Sequence, residues 1–522
     1  MLAAAAALRL EQYLHNRSFW LDESLLSLNL IEESARGLLH SLDYVQSAPA
    51  GFLLAQKGAL DLFGESERTL RLIPFLASLA GLVLFWLVAE RVLPRRPALL
   101  ALVMLAANDT VVYQASEAKP YTSDIAVGLL LVWLTLRGLD SLERGSAVTA
   151  VLPLAVAGAP AVWVSFPSVF VLAACFCTLL LRVRALRTPR AIWSLAVGAV
   201  ALVAIWLPAY LIASRSISTV RSAVFAGDAH SSSRLRGVVQ AGWESLSDPG
   251  GFPDKLRGVA LLCLIVAVVA VALRREIERF VLLAGPGILA VAAALAHAYP
   301  LGGRYSLFLV PPLTILVALG AAEVIRTSRR QALVGVPLVL LLVLPQVGKS
   351  LGEVAHPPTR EHIRPLLQTL DRSWRAGDTL YVYRNAQYAV RFYGECTDCG
   401  VRPYPFSLAP DTHGTDNAGF PAALESTSEV IIGMTASTPA QRLRTLDTLR
   451  GRRRLWLLFA HPSEVGPSLD EEQLLLAYLD TFGRRRGSWN EPGAALYLVN
   501  TTPEPATAEA AQSSTGSARC CR

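Results

Sequence analysis

The chain has 522 residues, of which 53% are hydrophobic and 17% charged, with a formal net charge of +7 and a mean hydropathy of +0.41. That balance excludes an ordinary soluble protein, in which about a quarter of residues are charged. The arginines fall in short clusters between apolar runs rather than along one basic stripe, which excludes a nucleic-acid partner and makes lipid part of the solvent.

In chain order, residues 1–14 form a short apolar run interrupted by Arg9 and Glu11, below the ~20 residues that cross hydrocarbon. The expectation is an internal start or a truncated first span. A signal peptide would need a basic leading region and a small-residue cleavage site, and both are missing. Next comes Ser-Phe-Trp-Leu-Asp-Glu-Ser at 18–24, with the acidic doublet Asp22-Glu23 close to a membrane boundary. A carboxylate there is costly unless it has work to do.

Beyond the doublet, Leu28, Ile31, Ala35, Leu38, Leu39 and Leu42 recur at helical spacing, with Glu32, Glu33, Arg36 and His40 on the other faces. This predicts an interfacial helix. A Pro/Gly break at 47–52 precedes a second amphipathic stretch over 53–63 that carries Lys57. Two such helices, in a first outward loop at 21–69, would roof a cavity at the membrane face.

Apolar runs follow at 70–92, 98–112, 125–139, 147–164, 167–181, 192–213, 259–273, 280–297, 305–325 and 332–347. With one crossing before the doublet, the expectation is a polytopic α-helical protein of about 10–11 spans. Arg91, Arg95 and Arg96 share one connection, and Arg137 and Arg144 the next cluster. Arg182, Arg184, Arg187 and Arg190, then Arg274, Arg275 and Arg279, and finally Arg326, Arg329 and Arg330 complete the set. These are alternate connections, so the positive-inside rule makes them cytoplasmic. The others face outward: 21–69, 116–121, the turn near Ser165, 214–255, 299–304, and everything after Lys349.

Within this frame Asp109, inside the run 98–112, reads as a hydrogen-bonder between packed helices. The polar loop 214–255, with Arg215, Arg221, Asp228, His230, Arg234 and Arg236, reads as an acceptor-side cover or a surface excursion. After Gly352 the composition becomes that of a soluble domain. A helix is predicted at 363–374, strands at 379–383, 430–432 and 455–459, a helix at 469–482 and a strand at 494–499. An α/β domain over 351–500 is large enough to bury its own core. The Thr/Ala/Ser/Pro-rich tail 501–522, with Cys520 and Cys521, reads as disordered. Cys175, Cys177 and Cys263 lie in apolar runs as small hydrophobes. Cys396 and Cys399 form a lone CxxC, which favours a disulfide in an oxidising compartment and is weak evidence for zinc.

Several stretches together resemble one family. They are Leu8-Arg9, Asn16-Arg-Ser-Phe-Trp-Leu-Asp-Glu-Ser24, Asp43-Tyr-Val-Gln-Ser-Ala-Pro49, Gly64-Glu-Ser-Glu-Arg-Thr-Leu-Arg-Leu72 and Tyr113-Gln-Ala-Ser-Glu-Ala-Lys-Pro-Tyr121. The chain resembles bacterial members of the GT-C glycosyltransferase superfamily, similar to the dolichyl-phosphate-mannose protein mannosyltransferases and the aminoarabinose transferases. The likeness is concentrated in about the first 140 residues and weak in the carboxyl-terminal domain.

The apolar runs delimit a transmembrane domain at 1–350, and the parity of the expected crossings puts the α/β domain at 351–500 outside. The resemblance implies that the transmembrane domain is catalytic and lies in the bacterial cytoplasmic membrane. It also implies a polyprenyl-phosphate sugar donor, a glycan, lipid or protein acceptor, and an Asp base in the first outward loop. Asp22 is the matching residue, with Glu23 beside it for the acceptor or a metal. The chemistry agrees, because an alcohol is a poor nucleophile at neutral pH and needs a carboxylate to take its proton. Single displacement needs one such base, unlike glycoside hydrolysis. Asp22 as a plain helix cap is the bland alternative, although Leu25 leaves a capping box incomplete.

A departing polyprenyl phosphate carries negative charge, and Lys57, Lys119 and Arg304 with Tyr305 are the outward candidates to meet it. Each also reads as an interfacial anchor, and Lys119 as a partner of Glu117. Glu117 is the second acid: it either holds a divalent cation, Mg or Mn, with Asp22 or pairs with Lys119. Two rival classes stand beside this one. A transporter or flippase of lipid-linked sugars would need mid-span ionisable groups or paired broken helices, and a noncatalytic scaffold would need only the outer domain.

Overall fold

The computed structural model describes residues 1–40, 42–186, 189–225, 231–328, 330–408, 422–433, 439–466 and 469–503. Two compact units result. One comprises Met1–Arg17, Leu25–Pro358 and Cys396–Cys399; the other comprises Ser18–Ser24, Thr359–Glu395 and Gly400–Arg522.

The first unit is helical. Among the described residues nine helices have the length and apolar composition to cross a membrane: Glu67–Val92, Tyr121–Glu143, Ala147–Val164, Ser168–Leu186, Ile192–Ile212, Asp254–Leu273, Ile277–Leu295, Gly303–Thr327 and Gln331–Ala355. The amino-terminal helix Leu2–His15 has 14 residues. The run expected as a span at 98–112 is two helices, Arg95–Ala106 and Asp109–Gln114. Asn108 causes the break, because its side chain accepts from Val111 N at 2.8 Å and donates to Pro249 O at 2.9 Å. A side chain that bonds its own backbone competes with helix continuation. Asp109 makes the expected bond between packed helices: it opens the short helix and pairs at 2.5 Å with Lys349 Nζ on the helix Gln331–Ala355, although not inside one continuous span.

The predicted interfacial helix is shorter than its periodicity suggested. The helix Leu21–Glu32 ends there, and Gly37–Leu39 is a single 3-10 turn in which Gly37 N donates to Ser34 Oγ at 3.1 Å. The second amphipathic stretch is the helix Ala50–Phe63. The connection expected as a loop at 214–255 is largely helical, with Pro189–Phe225 running past the predicted span end and Ser231–Glu244 following. Asp228 and His230 lie outside the described residues. The side chains of Arg215, Arg221 and Arg234 do too.

Arg91, Arg182, Arg275 and Arg279 line one cleft of about 550 Å³. Three arginine-bearing connections therefore share one end of the bundle, as the charge pattern requires. Arg91 pairs there with Asp140 at 2.6 Å and Arg182 with Glu278 at 2.6 Å.

Small residues let helices approach closely in lipid, where packing rather than water drives association. At Gly320 a Cβ would lie 1.7 Å from the backbone oxygen of Cys263. Gly320→Ala therefore forces two backbones apart, at a cost of at least ~2 kcal/mol. Gly348, in another span, has open space around a Cβ and is the control. In thermal unfolding of the detergent-solubilised chain, Gly320→Ala is expected to melt several degrees lower and Gly348→Ala unchanged. Equal melts would show that the helices do not cross this closely.

The second unit carries a five-stranded sheet. Its strands are β1 (Thr379–Val382), β2 (Val430–Ile432), β3 (Leu455–Ala460), β6 (Arg484–Glu491) and β7 (Ala494–Asn500), in the order β2-β1-β3-β7-β6. Glu464–Gly466 and Leu469–Asp470 form the separate pair β4 and β5. β2, β1 and β3 are parallel, whereas β7 pairs antiparallel with β3 and β6. β1 and β3 are buried along their whole length, as parallel strands covered on both faces should be.

The helices Ile363–Ser373, Ala386–Glu395, Pro439–Asp447 and Glu471–Leu479 complete the unit. The predicted elements are present, with 469–482 narrowed to Glu471–Leu479. Beneath the sheet Asp378 is held by Arg454 Nε and Trp456 Nε1, each at 2.7 Å. The tail from 504 onward lies outside the described residues.

Candidate functional site

Asp22 and Glu23 occupy the first turn of the helix Leu21–Glu32. The helix starts before Asp22, so the residue sits inside that turn rather than at the cap. Glu23 is fully buried. Both belong to the unit that contains the α/β domain. There Leu21 N donates to Glu361 Oε2 at 2.9 Å, so a carboxylate closes one of the unsatisfied N–H groups at the positive end of the helix. The other oxygen of Glu361 bonds His461 Nδ1 at 2.7 Å. The Trp20 ring lies 6.5 Å from that of His461, and the Arg360 guanidinium lies 4.4 Å over Trp20.

The hydrogen bond to Glu361 holds the His461 imidazolium above its ordinary pKa of 6.5; the Asp22 carboxylate pulls the same way, while burial and Arg360 oppose it. Ser18 Oγ lies 3.2 Å from His362 Nδ1 and accepts from Arg364 N at 3.3 Å. Phe19 N donates to Tyr393 Oη at 3.0 Å. The stretch around the doublet is thus fixed by contacts within its own unit.

The other predicted residues lie in the membrane unit. Glu117 and Lys119 share the turn before the span Tyr121–Glu143. Glu117 is fully buried, and Lys119, nearly so, donates to Gln46 Oε1 at 2.8 Å. Arg304 and Tyr305 open the 3-10 segment Gly303–Leu309. The Arg304 guanidinium lies 5.9 Å over Tyr121 and 5.6 Å over Tyr305, and the two rings meet edge to face at 6.1 Å. Arg304, from a connection far along the chain, therefore reaches the ring of Tyr121. Lys57 does something different: its ammonium donates to Leu30 O at 2.9 Å and holds the end of the doublet's helix.

The sequence reading missed four residues. Glu361 and His461 are two. Asp124 is the third, a buried acid one turn beyond Tyr121 beside Ser165 and Tyr299; Tyr299 Oη donates to Tyr305 O at 2.8 Å. Its signal was an acid at the head of an apolar run. Arg17 is the fourth, buried with its Nη1 on Ser116 Oγ at 2.8 Å and its guanidinium 3.8 Å over Tyr113. Among the described residues no group of three His, Cys, Asp or Glu side chains is placed to hold a metal ion. Cys396 and Cys399 are joined by a disulfide with a Cα separation of 5.7 Å.

Residues 47–208 match the family model described as dolichyl-phosphate-mannose-protein mannosyltransferase. The matched segment includes Glu117 and Lys119 and begins after the acidic doublet. No curated relative matches the chain. Among solved structures, the chain is similar to ArnT from Cupriavidus metallidurans bound to undecaprenyl phosphate. The two are 13% identical with a TM-score of 0.51, over 95% of this chain and 97% of that one. The Archaeoglobus fulgidus oligosaccharyltransferase in complex with Zn and sulfate is 12% identical with a TM-score of 0.49, over 96% and 73%. The family segment is confined to residues 47–208, and the fold, over 95% of the chain, is similar to that of ArnT.

Proposed function

We propose that the protein moves a sugar from a polyprenyl-phosphate donor to an acceptor hydroxyl at the outer face of the bacterial cytoplasmic membrane. The observation that carries this reading is the acidic doublet in the first turn of the helix that precedes the first apolar span, in a chain with this family segment and fold. The donor class is supported by the ligand of the ArnT structure.

In the proposed reaction Asp22 accepts the proton of the acceptor hydroxyl as its oxygen bonds the anomeric carbon. The bond from that carbon to the phosphate oxygen breaks, and polyprenyl phosphate leaves as the anion. Lys119 and Arg304 receive its charge in a site of low dielectric, where fixed cations act most strongly. Tyr121 and Tyr305 hold the Arg304 guanidinium by their ring faces. Lys57, a third candidate cation for the phosphate, also holds the helix, with one of its three N–H donors on Leu30 O.

Mass spectrometry of lipids extracted from cells lacking the protein tests the reading. The expected result is accumulation of one polyprenyl-phosphate sugar, reversed by the wild-type gene and not by Asp22→Asn. An unchanged lipid profile overturns it. With purified chain, Lys119→Ala is expected to weaken undecaprenyl-phosphate binding about tenfold or more, the loss of one charge-assisted contact. Tight binding in that variant would remove Lys119 from the phosphate site.

A further inference from the structure

Glu361 and His461 come from distant parts of the α/β domain and meet only in the folded unit. Glu361 is almost fully buried, and both its oxygens are used: one by Leu21 N–H, at the start of the Asp22 helix, and one by the His461 ring. The backbone of His461 is left-handed, with φ of 52°, a conformation costly for a residue with a Cβ. It persists because Asn385 Nδ2 donates to His461 O at 2.8 Å and His461 N donates to Gly493 O at 3.3 Å. Strain held in this way is often tied to a site. Here it presents an imidazole to Glu361 while the side chain keeps 46% exposure, open to solvent protons.

Resting on the reading of Asp22 as the base, we infer that Glu361 and His461 are positioning residues for it. The Glu361 carboxylate fixes the first turn of the Asp22 helix, and the protonated His461 ring sets a positive charge beside the Asp22 carboxylate, so that sugar transfer requires a proton on His461. The charged groups that act on His461 are Glu361 and Asp22, which favour the imidazolium, and Arg360, which opposes it. The sign follows. A His whose pKa is raised on folding is protonated at and below its ordinary pKa and loses the proton as pH rises through the raised value. Transfer should therefore show an alkaline limb whose midpoint lies above 6.5.

The test uses purified full-length chain added to membranes from cells lacking it, with released polyprenyl phosphate measured by mass spectrometry from about pH 5.5 to about pH 9. The wild type is expected to show the limb. His461→Gln is expected to be roughly tenfold slower at the acid end, with the limb gone. His461→Arg keeps a charge across the range, so it is expected to recover most of that loss without a limb. Glu361→Gln still offers Leu21 N–H an acceptor but removes the anion that raises the pKa, so the limb should move to lower pH.

A merely structural role would lower all rates and leave the limb in place. The inference is overturned if the wild type has no limb, if the limb survives in His461→Gln, or if it fails to move in Glu361→Gln. Asp22→Asn separates the two layers. If that variant transfers normally, the reading of Asp22 falls; if it is inactive while the limb ignores His461, only the present inference falls.

Discussion

Asp22→Asn is expected to lower sugar transfer by about 10²–10⁴-fold while the chain still folds and inserts. The substitution is isosteric and leaves the side chain in the same helical turn, so its effect on structure is confined to one charge. A carboxylate in the first turn of a partly buried helix contributes up to ~2 kcal/mol, too little to unfold a chain with two cores. The same carboxylate as general base is worth more than that in the barrier. The two roles therefore separate cleanly in a paired measurement of melting temperature and transfer rate. Asp22→Glu keeps the base one methylene out of place and should retain a small fraction of the activity. Wild-type turnover by Asp22→Asn would sink the proposal whatever the fold resembles. This matters because the doublet precedes the segment that matches the mannosyltransferase family, so its role rests on chemistry and position.

The membrane helices were legible because an apolar run of sufficient length has one solution in lipid: an intramolecularly hydrogen-bonded helix. The run 98–112 was misread because its break depends on Asn108 finding Pro249 O, a partner 141 residues away. No local pattern carries that. In the α/β domain the buried strands announce themselves as continuous Val, Leu, Phe and Trp. The edge strand Arg484–Glu491 does not, since its sequence RRRGSWNE is charged and mostly exposed, as edges are when they avoid pairing with other chains.

The site divides in the same way. Asp22 and Lys119 stand out as charges at membrane boundaries, where solvation makes any ion costly. Glu361 and His461 sit in polar stretches that look like ordinary surface turns, and only tertiary folding joins them. Asp124 was lost at the edge of a predicted span, although a buried acid there carries the same cost as any other.

Arg17→Lys should be nearly as damaging as loss of the base, although it conserves charge. The Arg17 guanidinium is buried and uses both terminal nitrogens of its planar fork. Nη1 donates to Ser116 Oγ at 2.8 Å, while Nη2 donates to Ser116 O at 3.0 Å and Tyr113 O at 3.3 Å. The same plane stacks on the Tyr113 ring, and the Arg17 carbonyl accepts from Arg71 Nη1 at 2.6 Å. An ammonium offers no plane to stack and no fork to span two acceptors. It would lose the stacking and could not keep all three contacts in one plane, a cost of about 1–3 kcal/mol. The connection so released is the one that carries Glu117 and Lys119, and a displacement of ~1 Å at a reacting group can cost ~10²-fold in rate. The expected result is a lowered melting temperature together with slower transfer and weaker undecaprenyl-phosphate binding. Lys119→Ala, by contrast, should lose donor binding with a smaller change in melting. If Arg17→Lys melted and transferred like the wild type, the turn would owe its shape to the following helix alone, and Arg17 would be only a buried anchor.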